Sequence, residues 1–206
     1  EDASFDVEFA QQYNSKVIII DPTPQAIHHF EKLKNSLGTK KTKSYTQSGK
    51  QPVEAYDLSK VDKSQLVLVE KALWDEQTEI EFYKPEIESH VSHSIVNWQH
   101  DYDDDTDYIE VKADTITSII NNQGISGNDI TLIKLDIEGA EIEVIKHMID
   151  SGLTPKQILV EFDELHNPSD KAFERVDKAH NLLLKNGYEL IYSDGTADFL
   201  YYKEDI

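Results

Sequence analysis

Thr131-Leu-Ile-Lys-Leu-Asp-Ile-Glu-Gly-Ala-Glu141 is the stretch whose reading decides the fold. Its apolar run stops at acidic residues and a glycine, and a helical pattern follows at once, with Ala140, Val144, Ile145, Met148 and Ile149 on one stripe. That is a strand ending in a polar crevice. In an open α/β sheet, ligands sit outside the carboxyl ends of the strands, so Asp136 and Glu138 stand where chemistry is expected. Lys134 interrupts the apolar run two residues before Asp136, and strand alternation points both side chains to the same face.

Working outward, the other segments repeat this strand-then-helix grammar. Val17 to Ile20 is an unbroken β-branched run of the kind buried on both faces, and it ends at Asp21-Pro-Thr-Pro24. Thr23 caps and Pro24 opens a helix over residues 24 to 35 that stops near Gly38. Before it, Phe5, Phe9 and Tyr13 recur at spacing four, which predicts a helix over 2 to 13 with an aromatic stripe facing the core. Residues 38 to 52 lack an apolar period and read as an exposed, mobile connection. Leu66 to Val69 is a second buried-type strand, Thr78 to Tyr83 a half-exposed one, and Tyr108 to Val111 another, with an irregular stretch over 84 to 107. A helix through Ile116, Ile119 and Ile120 precedes the strand 131 to 135, and a helix over 139 to 150 ends at Gly152. A strand from Ile158 to Phe162 and a helix over 170 to 185 follow. Tyr188 to Tyr192 and Asp198 to Tyr202 then flank Ser-Asp-Gly-Thr, the chemistry of a hairpin turn. The order predicts an α/β fold: a mostly parallel sheet with helices on both faces and a C-terminal antiparallel hairpin.

Composition narrows the partners. Forty acidic against twenty basic residues give a formal charge of -20, a field that repels nucleic acid and anionic membrane surfaces. Cysteine is absent, which excludes disulfides, thiolate zinc and a cysteine nucleophile. No apolar run approaches a membrane span, and the first residues have no signal-peptide pattern, so a soluble cytoplasmic protein is expected. Arg175 is the only arginine, which leaves no other bidentate clamp for phosphate.

At these residues the chain resembles the FkbM family of S-adenosylmethionine-dependent methyltransferases. The family's signature strand reads Ile-Lys-hydrophobic-Asp-hydrophobic-Glu-Gly-Ala-Glu, and Ile133 to Glu141 matches it without departure. Phe5-Asp-Val-Glu-Phe9, the strand ending Asp21-Pro-Thr-Pro24, Glu70-Lys-Ala-Leu-Trp-Asp75 and Val160-Glu-Phe162 extend the resemblance over nearly the whole chain, in the family's order. It implies a Rossmann-like class I methyltransferase sheet, a single domain over 1 to 206 with an insertion at about 76 to 112, and S-adenosylmethionine as cofactor. The activity it implies is O-methylation of a hydroxyl on a sugar, glycan or small metabolite. The family also carries a first strand and a glycine-rich loop before the segment corresponding to Glu1-Asp2-Ala3-Ser4. The expectation is that the sequence is a fragment of a longer protein; the alternative is a degenerate domain, catalytically inactive, that binds cofactor or a partner.

The resemblance gives several residues proposed roles, each with a plainer alternative. Asp21 would accept hydrogen bonds from ribose hydroxyls; otherwise it is a turn aspartate before proline. Ala72 and Leu73 would wall the adenine, or simply pack, and Trp74 reads as core. Asp136 is the foremost catalytic or methionine-contacting residue, positioned to meet the cationic cofactor or to orient and deprotonate an acceptor hydroxyl; otherwise it caps a helix. Gly139 lets the backbone turn into that helix. Lys134, expensive to bury charged, requires a carboxylate such as Asp136 or Glu161 and reads as a support for them rather than as a base. Glu161 is then a catalytic candidate that binds the acceptor or supports its neighbours. Asp136, Glu138, Asp163 and His166 form a weaker oxygen-rich metal alternative, and no metal is assigned. Asp101 to Asp107 lacks the glycine and closing glutamate of a calcium loop. His90, Ser92, His93, Ser94, Asn97 and Trp98 lie in the insertion, where acceptor recognition is expected.

Overall fold

The structure, a computed structural model, describes residues 2–47, 49–83 and 107–204. His90 to Trp98 of the insertion and residues 101–106 of the acidic run lie outside the described residues. Internal packing divides the described residues into two compact units, one up to residue 72 and the other from residue 73 onward.

The first unit opens with helix α1, Ser4–Tyr13. Its buried residues are Val7 and Ala10, with Ala3 just ahead of the helix, while Phe5 and Tyr13 are exposed. The aromatic stripe is therefore not the core face, contrary to its pattern. The rings pack on one another along the surface, with centroids at 5.6 Å for Phe5 and Phe9 and 4.7 Å for Phe9 and Tyr13. Small side chains at positions 3, 7 and 10 have the same helical period and allow α1 to lie close to the core of Leu33, Tyr56, Leu58, Val61 and Leu66.

Strand β1, Val17–Ile20, runs parallel to β2, Leu66–Val69, in register from Val17 opposite Leu66 to Ile20 opposite Val69. β1 is half-buried along its length rather than fully buried as its composition suggests. Between them α2, Pro24–Asn35, starts on a Thr23 cap whose Oγ1 accepts from Ala26 N, with proline in its first turn. The connection after it is exposed but not a bare tether. The Thr42 and Lys43 amides both donate to Glu54 O, Tyr45 Oη donates to Glu8 at 3.0 Å, and Lys41 sits 3.7 Å above the Tyr45 ring.

The second unit takes up at Leu73, the second residue of the short strand β3, Ala72–Leu73. β4, Thr78–Tyr83, pairs antiparallel with β5, Tyr108–Asp114, from Thr78 opposite Ala113 to Tyr83 opposite Tyr108. Together they form a sheet ordered β3-β5-β4. α3, Ile116–Asn122, is capped by Thr115. A four-stranded sheet follows in the order β6-β7-β9-β8, built from β6, Leu132–Leu135, β7, Gln157–Glu161, β8, Glu189–Ser193, and β9, Asp198–Tyr202. α4, Glu141–Asp150, lies between β6 and β7 in sequence, and α5, Asp170–Lys185, between β7 and β8; the two helices pack together.

β1/β2 and β6/β7 are parallel, whereas β4/β5, β7/β9 and β8/β9 are antiparallel. The expected mostly parallel sheet is thus a set of mixed sheets among the described residues. The physical reason lies in the connections. The two parallel pairs are joined through helices, which can carry the chain back to the same edge, whereas the terminal hairpin reverses through Asp194-Gly195-Thr196 and must pair antiparallel. β8, last in its sheet, has a register irregularity between Leu190 and Tyr192. No helix among the described residues is long and apolar enough to cross a membrane.

Candidate active site

Alternation along β6 buries Ile133 and Leu135 and turns Lys134 outward, with Asp136 exposed just beyond the strand end. Lys134 Nζ donates to Asp136 Oδ2 at 2.6 Å, and each side chain is 41% exposed. The pairing expected from strand spacing is present, but the burial expected of Lys134 is not. The alternation that buries Ile133 and Leu135 puts Lys134 on the more open face of the four-residue strand β6. The lysine therefore holds its partner as a hydrated, charge-assisted hydrogen bond rather than as a buried ion pair.

The turn from β6 into α4 places two consecutive residues at positive φ. Glu138 has φ 56° and Gly139 φ 100°, both in the left-handed region. Glycine is at ease there, whereas a glutamate costs about 1–2 kcal/mol. Glu141 compensates: its Oε1 accepts from Ile137 N at 2.9 Å and Gly139 N at 3.2 Å, and its Oε2 lies 3.1 Å from Gly139 N. The side chain is buried, at 1% exposure. Burial pushes its carboxyl up to about 7, against the lowering effect of the backbone donors. Sequence reasoning assigned Glu141 to the motif without a function. An acid in the first helical turn after a glycine was the signal that it folds back on the turn.

Glu161, the last residue of β7, is half-buried. Burial, followed by the charges of Asp136 and Asp198, raises its carboxyl above the ordinary range, while His166 and Lys134 act the other way. Beyond β7 a short helical turn, Asp163–His166, brings His166 Nδ1 to 3.1 Å from Asp163 Oδ1 and its Nε2 to 3.4 Å from Glu161 Oε1. Arg175 Nε donates to Glu164 at 2.7 Å and its Nη2 lies 3.6 Å from Glu143, so the single guanidinium ties α4 and α5 to this turn. The result is an acidic ledge at the carboxyl ends of β6 and β7, with one lysine and one histidine among its carboxylates. Lys134, Asp136, Gly139 and Glu161 are gathered there. Among the described residues, no group of three or more His, Asp or Glu side chains is placed to hold a metal ion.

The other candidates occupy different surroundings. Asp21, in the first unit, ends β1; its Oδ1 accepts from Thr23 N at 2.8 Å and its own N–H donates to Val69 O. That is the turn geometry of the plainer alternative, and it engages only one carboxylate oxygen. Ala72 and Leu73 are buried, and Trp74 is half-buried with its backbone N–H on Asp114 O.

A chain with acidic residues closing β1 and β6, and a Lys-x-Asp-x-Glu-Gly-Ala-Glu turn into a helix, can be compared with known families on more than one segment. No curated protein and no solved structure matches it significantly. The Methyltransferase FkbM domain model does match, over residues 2–190. With nearly the whole length covered, the chain belongs to the FkbM methyltransferase family.

Proposed function

We propose that the chain transfers the methyl group of S-adenosylmethionine to a hydroxyl oxygen on a sugar, glycan or other small metabolite, without nucleic acid or membrane as partner. The observation that carries the reading is the exposed Asp136 carboxylate at the end of β6, braced by Lys134 at 2.6 Å, in a chain matched by the FkbM family along residues 2–190.

The residues fit the cofactor in donor chemistry. Asp21 accepts Thr23 N–H through Oδ1, which leaves Oδ2 for a ribose hydroxyl. Ala72 and Leu73 are small or apolar and buried, as an adenine wall requires. Carboxylates prevail over cations on the ledge of the second unit, which suits a ligand carrying positive charge. When bound, the cofactor supplies an electrophilic methyl carbon on a cationic sulfur.

The chain's own contribution is alignment. Methyl transfer is an in-line displacement, and fixing an acceptor oxygen in line accounts for much of the achievable acceleration. Asp136 orients the acceptor hydroxyl and favours positive charge nearby, Lys134 keeps Asp136 in one rotamer, and Glu161 offers a second acceptor for the substrate's hydroxyls. Glu141 maintains the turn on which Asp136 stands.

Calorimetry with S-adenosylhomocysteine tests the cofactor, and a labelled-methyl screen over sugars and glycans tests the acceptor. Binding together with label in a hydroxyl product is the expected result. Absence of binding at millimolar ligand would instead leave a methyltransferase-like domain that serves a partner.

A further inference from the structure

His166, on the ledge, has no part in aligning the acceptor as described above. His166 meets a different carboxylate at each ring nitrogen, Asp163 at Nδ1 and Glu161 at Nε2. The two sides differ in access. The Asp163 side chain is 12% exposed, that of Glu161 34%. The shorter and more sheltered contact at Nδ1 favours the tautomer that keeps its proton there and its lone pair on Nε2, and it stabilises the imidazolium once a proton arrives. The longer 3.4 Å approach of Glu161 to Nε2 is a contact that a substrate hydroxyl can displace.

We infer that His166 is the general base of the methyl transfer and that Asp163 is its positioning residue; this rests on the methyltransferase reading above. With Nδ1–H donated to Asp163, Nε2 takes the proton of the acceptor hydroxyl while the acceptor oxygen forms its bond to the methyl carbon. The carbon–sulfur bond breaks with its electron pair on sulfur, and the proton passes from Nε2 to solvent, which the 55% exposed His166 side chain reaches. Three carboxylates act on the ring: Asp163 from its own turn, Glu161 from β7 and Glu138 from the turn after β6. Burial works to lower the imidazole, yet these carboxylates outweigh it and hold His166 above the ordinary histidine range. The acid limb of the rate profile therefore lies above that range.

Two measurements test this. In the unliganded protein, nitrogen-15 NMR of the histidine rings is expected to show His166 as the Nδ1–H tautomer when neutral, titrating high, and Asp163→Asn is expected to lower that titration and weaken the tautomer preference. In methyl transfer, His166→Gln is expected to lower kcat by about 10²-fold or more and to abolish the acid limb, with S-adenosylhomocysteine affinity kept. An Nε2–H tautomer in the wild type, or a His166→Gln variant with the wild-type rate profile, overturns the inference alone. A wild type that neither binds S-adenosylhomocysteine nor methylates any hydroxyl overturns the methyltransferase reading and this inference with it.

Discussion

Asp21 and Asp136 both follow a strand of a parallel pair, one in each unit, yet they are held by opposite means. Asp21 is anchored by backbone: Thr23 N–H binds one of its oxygens in a turn before proline. Asp136 is anchored by a side chain, the Lys134 ammonium reaching along its own strand. A backbone-held carboxylate needs only an acceptor oxygen, so an amide can replace it with little structural change. A carboxylate held by a cation depends on its charge. The pair separates a residue suited to presenting a hydrogen bond from one suited to presenting a field.

The sharpest way to break this comparison is to neutralise each in place. Asp136→Asn is expected to reduce methyl transfer by about 10²- to 10³-fold while leaving the folded state intact, the size of effect seen when an aligned electrostatic group is removed; labelled-cofactor turnover alongside circular dichroism checks it. A loss under fivefold would place the reacting group elsewhere.

Next in size is the support beneath Asp136. Glu141 has a folded-state value of about 7 against an ordinary 4.5, so its native form binds the proton more tightly than the unfolded chain does. Its stabilising share is complete below pH 4.5 and is lost as pH rises through 7, a difference of about 3 kcal/mol on linkage grounds. Urea denaturation across that window should show the decline, and Glu141→Gln should flatten it. Glu141→Ala goes further by stranding the Ile137 and Gly139 amides, for a loss of about 2–3 kcal/mol at acidic pH.

Asp21→Asn comes third. The amide oxygen can still accept Thr23 N–H, so the expected result is unchanged stability and about tenfold weaker S-adenosylhomocysteine binding, or about 1.4 kcal/mol, by calorimetry. Equal sensitivity of both aspartates to neutralisation would erase the distinction between them. The smallest effect belongs to Lys134→Met. Its pair is hydrated, so denaturation should register less than about 1 kcal/mol, while the acceptor KM rises as Asp136 loses its fixed rotamer.

Elements whose ends carry local chemistry were legible in the chain itself. α2 runs from its Thr23 cap as expected, α5 begins after the Ser169 cap, whose hydroxyl accepts Ala172 N, and the Asp-Gly turn sets the terminal hairpin. β5 ends three residues later than its apolar pattern indicates, because Lys112-Ala113-Asp114 carries no strand signal of its own. Asp114 is wholly buried and takes Thr115 N–H and Gln77 Nε2 as partners, contacts set by tertiary structure. The Phe5 stripe misled for a related reason: periodicity identifies a face but not what the face meets, and Ala3, Val7 and Ala10 present an equally regular one. At the site, the spacing of Lys134 and Asp136 foretold their contact. The grip of Glu141 on the turn and the bracketing of His166 by two carboxylates arise from backbone reversals that no linear period records.

The irregularity between Leu190 and Tyr192 has a bearing on solubility. β8 presents Leu190, Ile191 and Tyr192 largely exposed, the composition of a segment that recruits further strands into fibrils. An irregular register of this kind skews a strand's backbone ladder, which opposes in-register docking of an incoming strand. With a net charge of -20 repelling like molecules, that single slipped residue works in the same direction as the charge, against growth of the sheet along its apolar margin.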